Sequence, residues 1–417
     1  MKKIVASTGM IALSVAGMQA QDASKSWSVN GGVRGFYDSN STLVGNGAEL
    51  DSFGLGIEAG VGYNLPLDQT FLGADYTYGL KWYEGRETGE TDQTHRFNLK
   101  LDHTFSEQYK VTLKDSFVVT DEPTVLDQGG TVTARTLATA MRNRANVDFA
   151  AQFSPKLGAT IGYGNTYYNY EEEFSDSTPF TSRSQLLDRM EHAIPIEGRY
   201  TVSPETIALA GYQYGMYDYL SNDAYDSGLP GVSPTPVSPS WRDNSSHYLY
   251  GGVEHNFSPK LNGSLRGGVQ FIKYNDLPSG ALVDDSSSNP YVDANLSYLY
   301  NPGSYLVLGY RHSMNATDLT VLNAESDVVF LSWTHKITSS LNANLNYQWQ
   351  YSTFEQGYSG GLDNQKEMFN IFGFNLSHTI NQFLTAEVGY NYDDLDSDVA
   401  GRSYSRHVAY VGLRATY

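Results

Sequence analysis

The sequence predicts an all-β chain: an up-and-down antiparallel β-barrel that crosses a membrane with about 18 strands, 16 being the nearest alternative. Three observations carry this. One stretch alternates without a slip, the same pattern repeats between short turns and long loops, and the chain stops on an aromatic residue at the end of such a stretch.

The alternating stretch is 341–351. Leu341, Ala343, Leu345, Tyr347, Trp349 and Tyr351 interleave with Asn342, Asn344, Asn346, Gln348 and Gln350. Successive side chains of a pleated strand leave on opposite faces, so period two marks a strand. One face is apolar and the other is uncharged amide.

Repetition supplies the strand count. Short turns recur at 64 (N-L-P-L-D-Q), 105 (F-S-E-Q-Y), 153 and 257 (F-S-P-K-L), 202 (V-S-P-E-T), 301 (N-P-G-S), 338 (T-S-S-L) and 380 (I-N-Q-F). Nine longer polar segments separate them, at 38–51, 84–92, 120–140, 171–188, 220–245, 275–288, 317–325, 355–366 and 393–403. Eight turns and nine loops make seventeen connections, hence eighteen strands with both ends in the periplasm. Pro195 weakens the eighth strand unless it sits at a bulge.

Composition fits a barrel in an envelope. Lys2 and Lys3 precede an apolar run at 4–16, and Ala20 stands where a secretory signal is cut, so 1–20 is expected to be a signal peptide and 21–417 one barrel domain. Losing the two lysines takes the net charge from -19 to -21. The apolar run is too short for a membrane-spanning helix, and no later segment approaches 18 apolar residues. A mean hydropathy of -0.40 would suit a soluble protein, but only every second residue of a barrel strand must face lipid. The 32 tyrosines and 18 phenylalanines suit interfacial girdles, and the absence of cysteine excludes a lipoprotein and a disulfide scaffold. A secreted adhesin-like sandwich of similar composition is the alternative, and the strand count weighs against it.

Alternation assigns the faces. Phe53, Leu55, Ile57, Ala59, Val61 and Tyr63 point to lipid, as do Phe97, Leu99, Leu101, Leu384, Ala386, Val388 and Tyr390. Their partners Gly54, Glu58, Asn98, Lys100, Asp102 and Glu387 point inward. Small, amide and charged residues on the inside imply a hydrated lumen, because a solid core needs large apolar side chains.

The final strand runs through Ala409, Val411, Leu413 and Ala415 to Tyr417, one apolar face ending in an aromatic. It resembles the C-terminal assembly signal of outer-membrane barrels, with Tyr417, Leu413 and Val411 as its readable face. The whole chain, with its F-S-P-K-L turns, resembles the β-barrel porin families of Gram-negative envelopes. That resemblance implies outer-membrane lipid, the barrel assembly machinery and small polar solutes as partners. A homo-oligomer is compatible with it; nucleic acid and cofactors are not expected.

His103, His255, His335 and His378 each precede a short turn by two residues and read as interfacial padding, too dispersed to share a metal. Asp393, Asp394, Asp396 and Asp398 read as a solvated loop rather than a calcium site. No hydrolase, metalloprotease or nucleotide-binding signature occurs, so an enzyme is not expected. The lumen holds the stronger signal. Arg96, Lys100, Lys110, Lys114, Arg142 and Arg144 fall on the inward faces of three consecutive strands, a basic wall in an acidic chain. Asp102 and Asp148 are available to neutralise it. The 120–140 loop leaving that sector brings Asp121, Glu122 and Asp127, and its apolar Val132, Leu137, Ala138 and Met141 suggest packing, so it is the candidate constriction. Residues 220–245, rich in Pro and Ser, are expected to project from the mouth or drape over it. The function these features predict is a channel for passive or weakly selective diffusion of small polar solutes. The alternative is a surface adhesin or envelope-anchoring barrel acting through its loops.

Overall fold

A computed structural model describes residues 26–417 apart from 87–88, 127–130, 136, 172–182, 223, 225–236 and 358–361. The expected signal peptide and Asp127 lie outside the described residues. Strands β1 (Trp27–Asp38), β2 (Ser52–Pro66), β3 (Thr70–Tyr83), β4 (Thr91–Thr104), β5 (Tyr109–Thr120) and β6 (Ala140–Gln152) open the chain. They are followed by β7 (Leu157–Tyr170), β8 (Arg189–Ser203), β9 (Thr206–Tyr219), β10 (Asn244–Ser258), β11 (Leu261–Tyr274) and β12 (Ser286–Asn301). The last six are β13 (Ser304–Asn315), β14 (Val321–Lys336), β15 (Leu341–Gly357), β16 (Lys366–Thr379), β17 (Leu384–Ser397) and β18 (Tyr404–Thr416). Each pairs antiparallel with its sequence neighbours, and β1 pairs with β18, so the 18-stranded sheet closes on itself. Closure pairs every strand edge, the condition for crossing lipid. The predicted eight short turns and nine longer loops are all found.

Side chains that reach across several strands settle which face is inside. Arg266 on β11 meets Glu197 on β8, and Arg34 on β1 meets Glu387 on β17. Side chains that converge across three strand spacings, as Arg266 and Glu197 do, mark the concave face of a closed wall. Register carries the assignment round the ring: Lys100 stands opposite Lys114, Arg142 opposite Val118 and Arg144 opposite Ser116, all on the inward face. The other face is apolar and open, with Leu55 45% exposed and Val411 65% exposed. In water such a band would be untenable; in a bilayer it is the lipid-facing belt.

The belt is edged as interfaces require. Toward the outer rim, cross-strand Tyr–His pairs repeat, with Tyr76 Oη 2.8 Å from His95 Nδ1 and Tyr212 Oη 2.8 Å from His247 Nδ1. At the short-turn rim, His103 and His255 each pack edge-on against a phenylalanine, Phe105 and Phe257, and bond a threonine on the next strand. Amphipathic rings suit that boundary. The β1–β18 seam ends on Tyr417, whose backbone exchanges both hydrogen bonds with Val29.

Pro195 costs less than expected. β8 runs through it without a bulge, in register with β9 from Arg189 to Thr201. The loss appears on the β7 side, where pairing stops at Ile161–Ile196 and resumes at Gly164–Ala193. A proline has no N–H to give that ladder. Gly162 makes room for the ring, since a Cβ there would lie 3.1 Å from Pro195 Cγ. Two inward glycines serve a related purpose. The rings of Tyr250 and Tyr410 lie flat over Gly211 and Gly389, where any Cβ would sit 2.2 Å from the ring carbon.

Leu345 on β15, opposite Trp333 and Phe374, lies at the level of the lipid belt. Leu345→Arg is expected to destabilise the folded barrel by roughly 2–4 kcal/mol. Urea titration of the heat-modifiable band in lipid vesicles measures it; an unchanged midpoint would put Leu345 on the wrong face.

Candidate functional site

The loop between β5 and β6 crosses the lumen. Its root is tied at the rim, where Asp121 accepts from the Gln93 backbone N–H at 3.1 Å and from Thr139 Oγ1 at 2.5 Å. A helical turn, α1 (Pro123–Leu126), is held by Arg142, which donates to Leu126 O at 2.6 Å. Beyond it, Val132 N–H donates to Gln350 Oε1 at 3.0 Å while Gln350 Nε2 donates back to Val132 O at 3.2 Å. Gln350 belongs to β15, nine strands from β6 in a ring of 18, which is the far wall. Arg135 then meets Glu367 of β16 at 3.2 Å, and Arg402 bridges Glu367 and Asp318. Two arginines and two carboxylates thus clamp the loop's far end, each buried charge compensated by its neighbours.

The outer mouth contains cores that are built from loops. Leu126, Leu186, Leu187, Trp241, Ile272 and Met314 pack into one cluster on the β5–β14 side. Leu43 and Val132 pack with Phe369, Leu395 and Tyr404 on the opposite wall. Arg242 is fully buried and donates to Leu186 O at 2.8 Å and Thr317 O at 2.9 Å, joining three loops. The segment expected to project from the mouth or drape over it packs inward at 237–242, where a 3₁₀ turn (Pro239–Arg242) seats Trp241. Its Pro-rich stretch at 225–236 lies outside the described residues. Loop apolar residues were legible as a packing signal at 132–141 and missed at Leu43 and Trp241, which have no periodicity around them.

Beside the crossing loop remains a cavity of about 630 Å³, walled by β1–β4 and β14–β18 and touched by Glu122, Thr124, Val125 and Val132. Glu122 does not face the predicted basic wall. It accepts from Arg406 Nη1 at 2.6 Å and from Lys81 Nζ at 3.2 Å. Arg406 also clasps Asp38, at 2.7 Å. Asp393 approaches Arg406 at 3.8 Å; it lies on β17 with Asp394 and Asp396, so the sequence reading of that cluster as a loop is corrected by continued pairing with β18. Alternation would have found Arg34, Lys81, Arg406 and Arg414, all inward, had the rule been carried through every strand.

The six predicted cations share one face of β4–β6 and descend the wall. Arg142 lies near the outer end of β6, and Lys110, eight residues along β5 from Arg142's partner Val118, is about 25 Å away along the strand. Lys100 and Lys110 both pair with Asp102, at 3.2 and 3.3 Å. Arg144 bonds Thr166 Oγ1 and Tyr168 Oη. Inward arginines are not confined to this sector, since Arg34, Arg199, Arg266, Arg311 and Arg414 stand on other strands, each beside a carboxylate.

Burial alone would raise the Glu122 carboxyl, but Arg406 and Lys81 outweigh it and hold it at about 2. A carboxylate depressed on folding contributes stability that is complete above its ordinary pKa of 4.5 and fades as pH falls toward about 2. Glu122→Gln is therefore expected to cost roughly 1–3 kcal/mol between pH 8 and 5, with the gap to wild type closing below pH 4.5. Melting both proteins across that range checks it; a gap that widens in acid would contradict the pairing.

Solved outer-membrane proteins resemble the chain at low identity. OpdK of Pseudomonas aeruginosa, solved with vanillate, is 11% identical with a TM-score of 0.47, over 94% of this chain and 99% of that one. OccAB4 of Acinetobacter baumannii is 13% identical with a TM-score of 0.43, over the same shares. The siderophore receptor PiuA of Acinetobacter baumannii is 10% identical with a TM-score of 0.46, over 94% of this chain and 82% of that one. No curated protein sequence matches the chain. The family model described as "Putative beta-barrel porin 2" matches residues 36–417. Closed β-wall, apolar belt, polar lumen and this match agree: the chain belongs to that porin family and is a porin-like barrel of the bacterial outer membrane.

Proposed function

We propose that the barrel passes small polar solutes by passive, weakly selective diffusion, and favours anions despite its acidic sequence. The observation that carries this is the cation series Arg142, Arg144, Arg96, Lys114, Lys100 and Lys110 down one face of the lumen. Among the described residues, no carboxylate lies within 4 Å of Arg96 or Lys114, so part of the series is not held in direct ion pairs. Fixed charge within about 8 Å governs ions at physiological salt, while acidic loops further off are screened. The 120–140 loop, anchored on both walls, narrows the route and acts as the constriction. Glu122 anchors it, Asp121 sets its root, and Arg96 of the basic wall lines the cavity left beside it. An adhesin reading has less support, because the described loops spend their apolar side chains on one another.

Converting Lys100, Lys114 and Arg144 together to Gln is expected to move the reversal potential in a salt gradient toward cation preference, by planar-bilayer recording. Unchanged preference would reduce them to wall charges of no consequence for permeation. Deleting 124–136 is expected to raise single-channel conductance, and an unchanged conductance would place the constriction elsewhere. Tyr417 with Val411 and Leu413 is proposed as the signal read by the assembly machinery. Tyr417→Ser should then lower assembled barrel in the outer membrane with synthesis unaltered, as followed by heat-modifiable gel mobility.

A further inference from the structure

Ten charged side chains line the cavity beside the crossing loop: Arg34, Asp38, Glu58, Lys81, Asp92, Arg96, Glu122, Asp393, Arg406 and Arg414. Eight are paired. Arg34 and Arg414 share Glu387, Asp92 holds Arg86, and the remaining five meet around Arg406 and Glu122. Of these ten, Glu58 on β2 and Arg96 on β4 have no opposite charge within 4 Å among the described residues. Both are half-buried, so each keeps access to lumen water.

Their placement is complementary. Glu58 stands opposite Gly79, and Arg96 opposite Thr77, on the strand between them. Two strand spacings and a two-residue offset put their Cα atoms about 12 Å apart. The ground between is low: a Cβ on Gly79 would touch nothing nearer than 3.7 Å. A carboxylate and a guanidinium thus stand on either side of a small-residue shelf, with no ion pair within 4 Å joining them.

We propose that this pair is a binding site for zwitterionic α-amino acids. The solute carboxylate takes the Arg96 guanidinium, a fork that matches two oxygens, and the solute ammonium donates to the Glu58 carboxylate. A zwitterion satisfies both residual charges at once, whereas a simple anion satisfies Arg96 and is opposed by Glu58. The site rests on the reading of this lumen as a solute path and specifies which solutes pause in it.

The test uses three probes on the full-length barrel: L-glutamine, N-acetyl-L-glutamine and L-glutaminamide, which carry both charges, only the negative and only the positive. Titration calorimetry in detergent is expected to rank the zwitterion tightest. Glu58→Gln and Arg96→Gln should each weaken it by about tenfold or more, as loss of one charged hydrogen-bond partner implies. Glu58→Gln should also bring the zwitterion down to the N-acetyl compound. Heat-modifiable mobility shows that both variants fold. Equal binding of the zwitterion and the N-acetyl compound would make this an anion site and overturn the proposal, as would no saturable heat with L-glutamine. Conductance in bilayers is read separately. Zwitterion binding without conductance would defeat the channel reading and keep the site; conductance without zwitterion preference would do the reverse.

Discussion

Every backbone N–H and C=O at membrane depth has to be paired within the protein, and the rest of this structure follows from that demand. A sheet meets it only by closing, and closure puts β1 beside β18. Closing the sheet divides every strand into a face for lipid and a face for the lumen. The outer face can then be apolar without risk, and the inner face is free to carry charge. Pro195 marks the tolerance of the scheme: the ladder gives up pairing on one side, keeps it on the other, and the wall stays continuous.

Charge inside the wall is arranged rather than scattered. Arg199 and Arg266 share Glu197 and Glu254 on one side, and Arg406 gathers Asp38, Glu122 and Asp393 on the other. Burying any one of these ions alone would cost several kcal/mol, and grouping them offsets most of it. The Arg406 group also holds the crossing loop in place, through Glu122. Folding energy and pore shape therefore depend on the same contacts, so a change in one lumen charge alters both. The mouth adds apolar packing, which a soluble protein would keep at its centre and this one keeps at one end.

Much of this was legible from period-two alternation, because a one-residue slip would turn every lipid-facing side chain into the lumen. Leu341 to Tyr351 alone assigns both faces of β15, and turn chemistry at 153 and 257 spaces the neighbouring strands. The six basic-wall residues share a face for the same reason. What alternation could not supply was any relation between strands far apart in sequence. Glu122 and Arg406 are 284 residues apart, and nothing local to either names the other. Loop packing was hidden too, since Leu43 and Trp241 are single apolar residues in polar surroundings. The acidic run at 393–398 resembled a loop by composition, yet pairing with β18 to Leu395 and with β16 beyond it carries the strand to Ser397.

The seam has a kinetic meaning. Val29 and Tyr417 exchange hydrogen bonds, so the earliest and latest parts of the described chain are partners. Sixteen strands lie between them in the chain order, and none can substitute for either edge. Zipping from hairpin to hairpin can go ahead locally, but the ring shuts only when β18 is available to β1. Contacts of such long sequence separation are slow to form. Until they do, two unpaired edges stay open to a foreign strand.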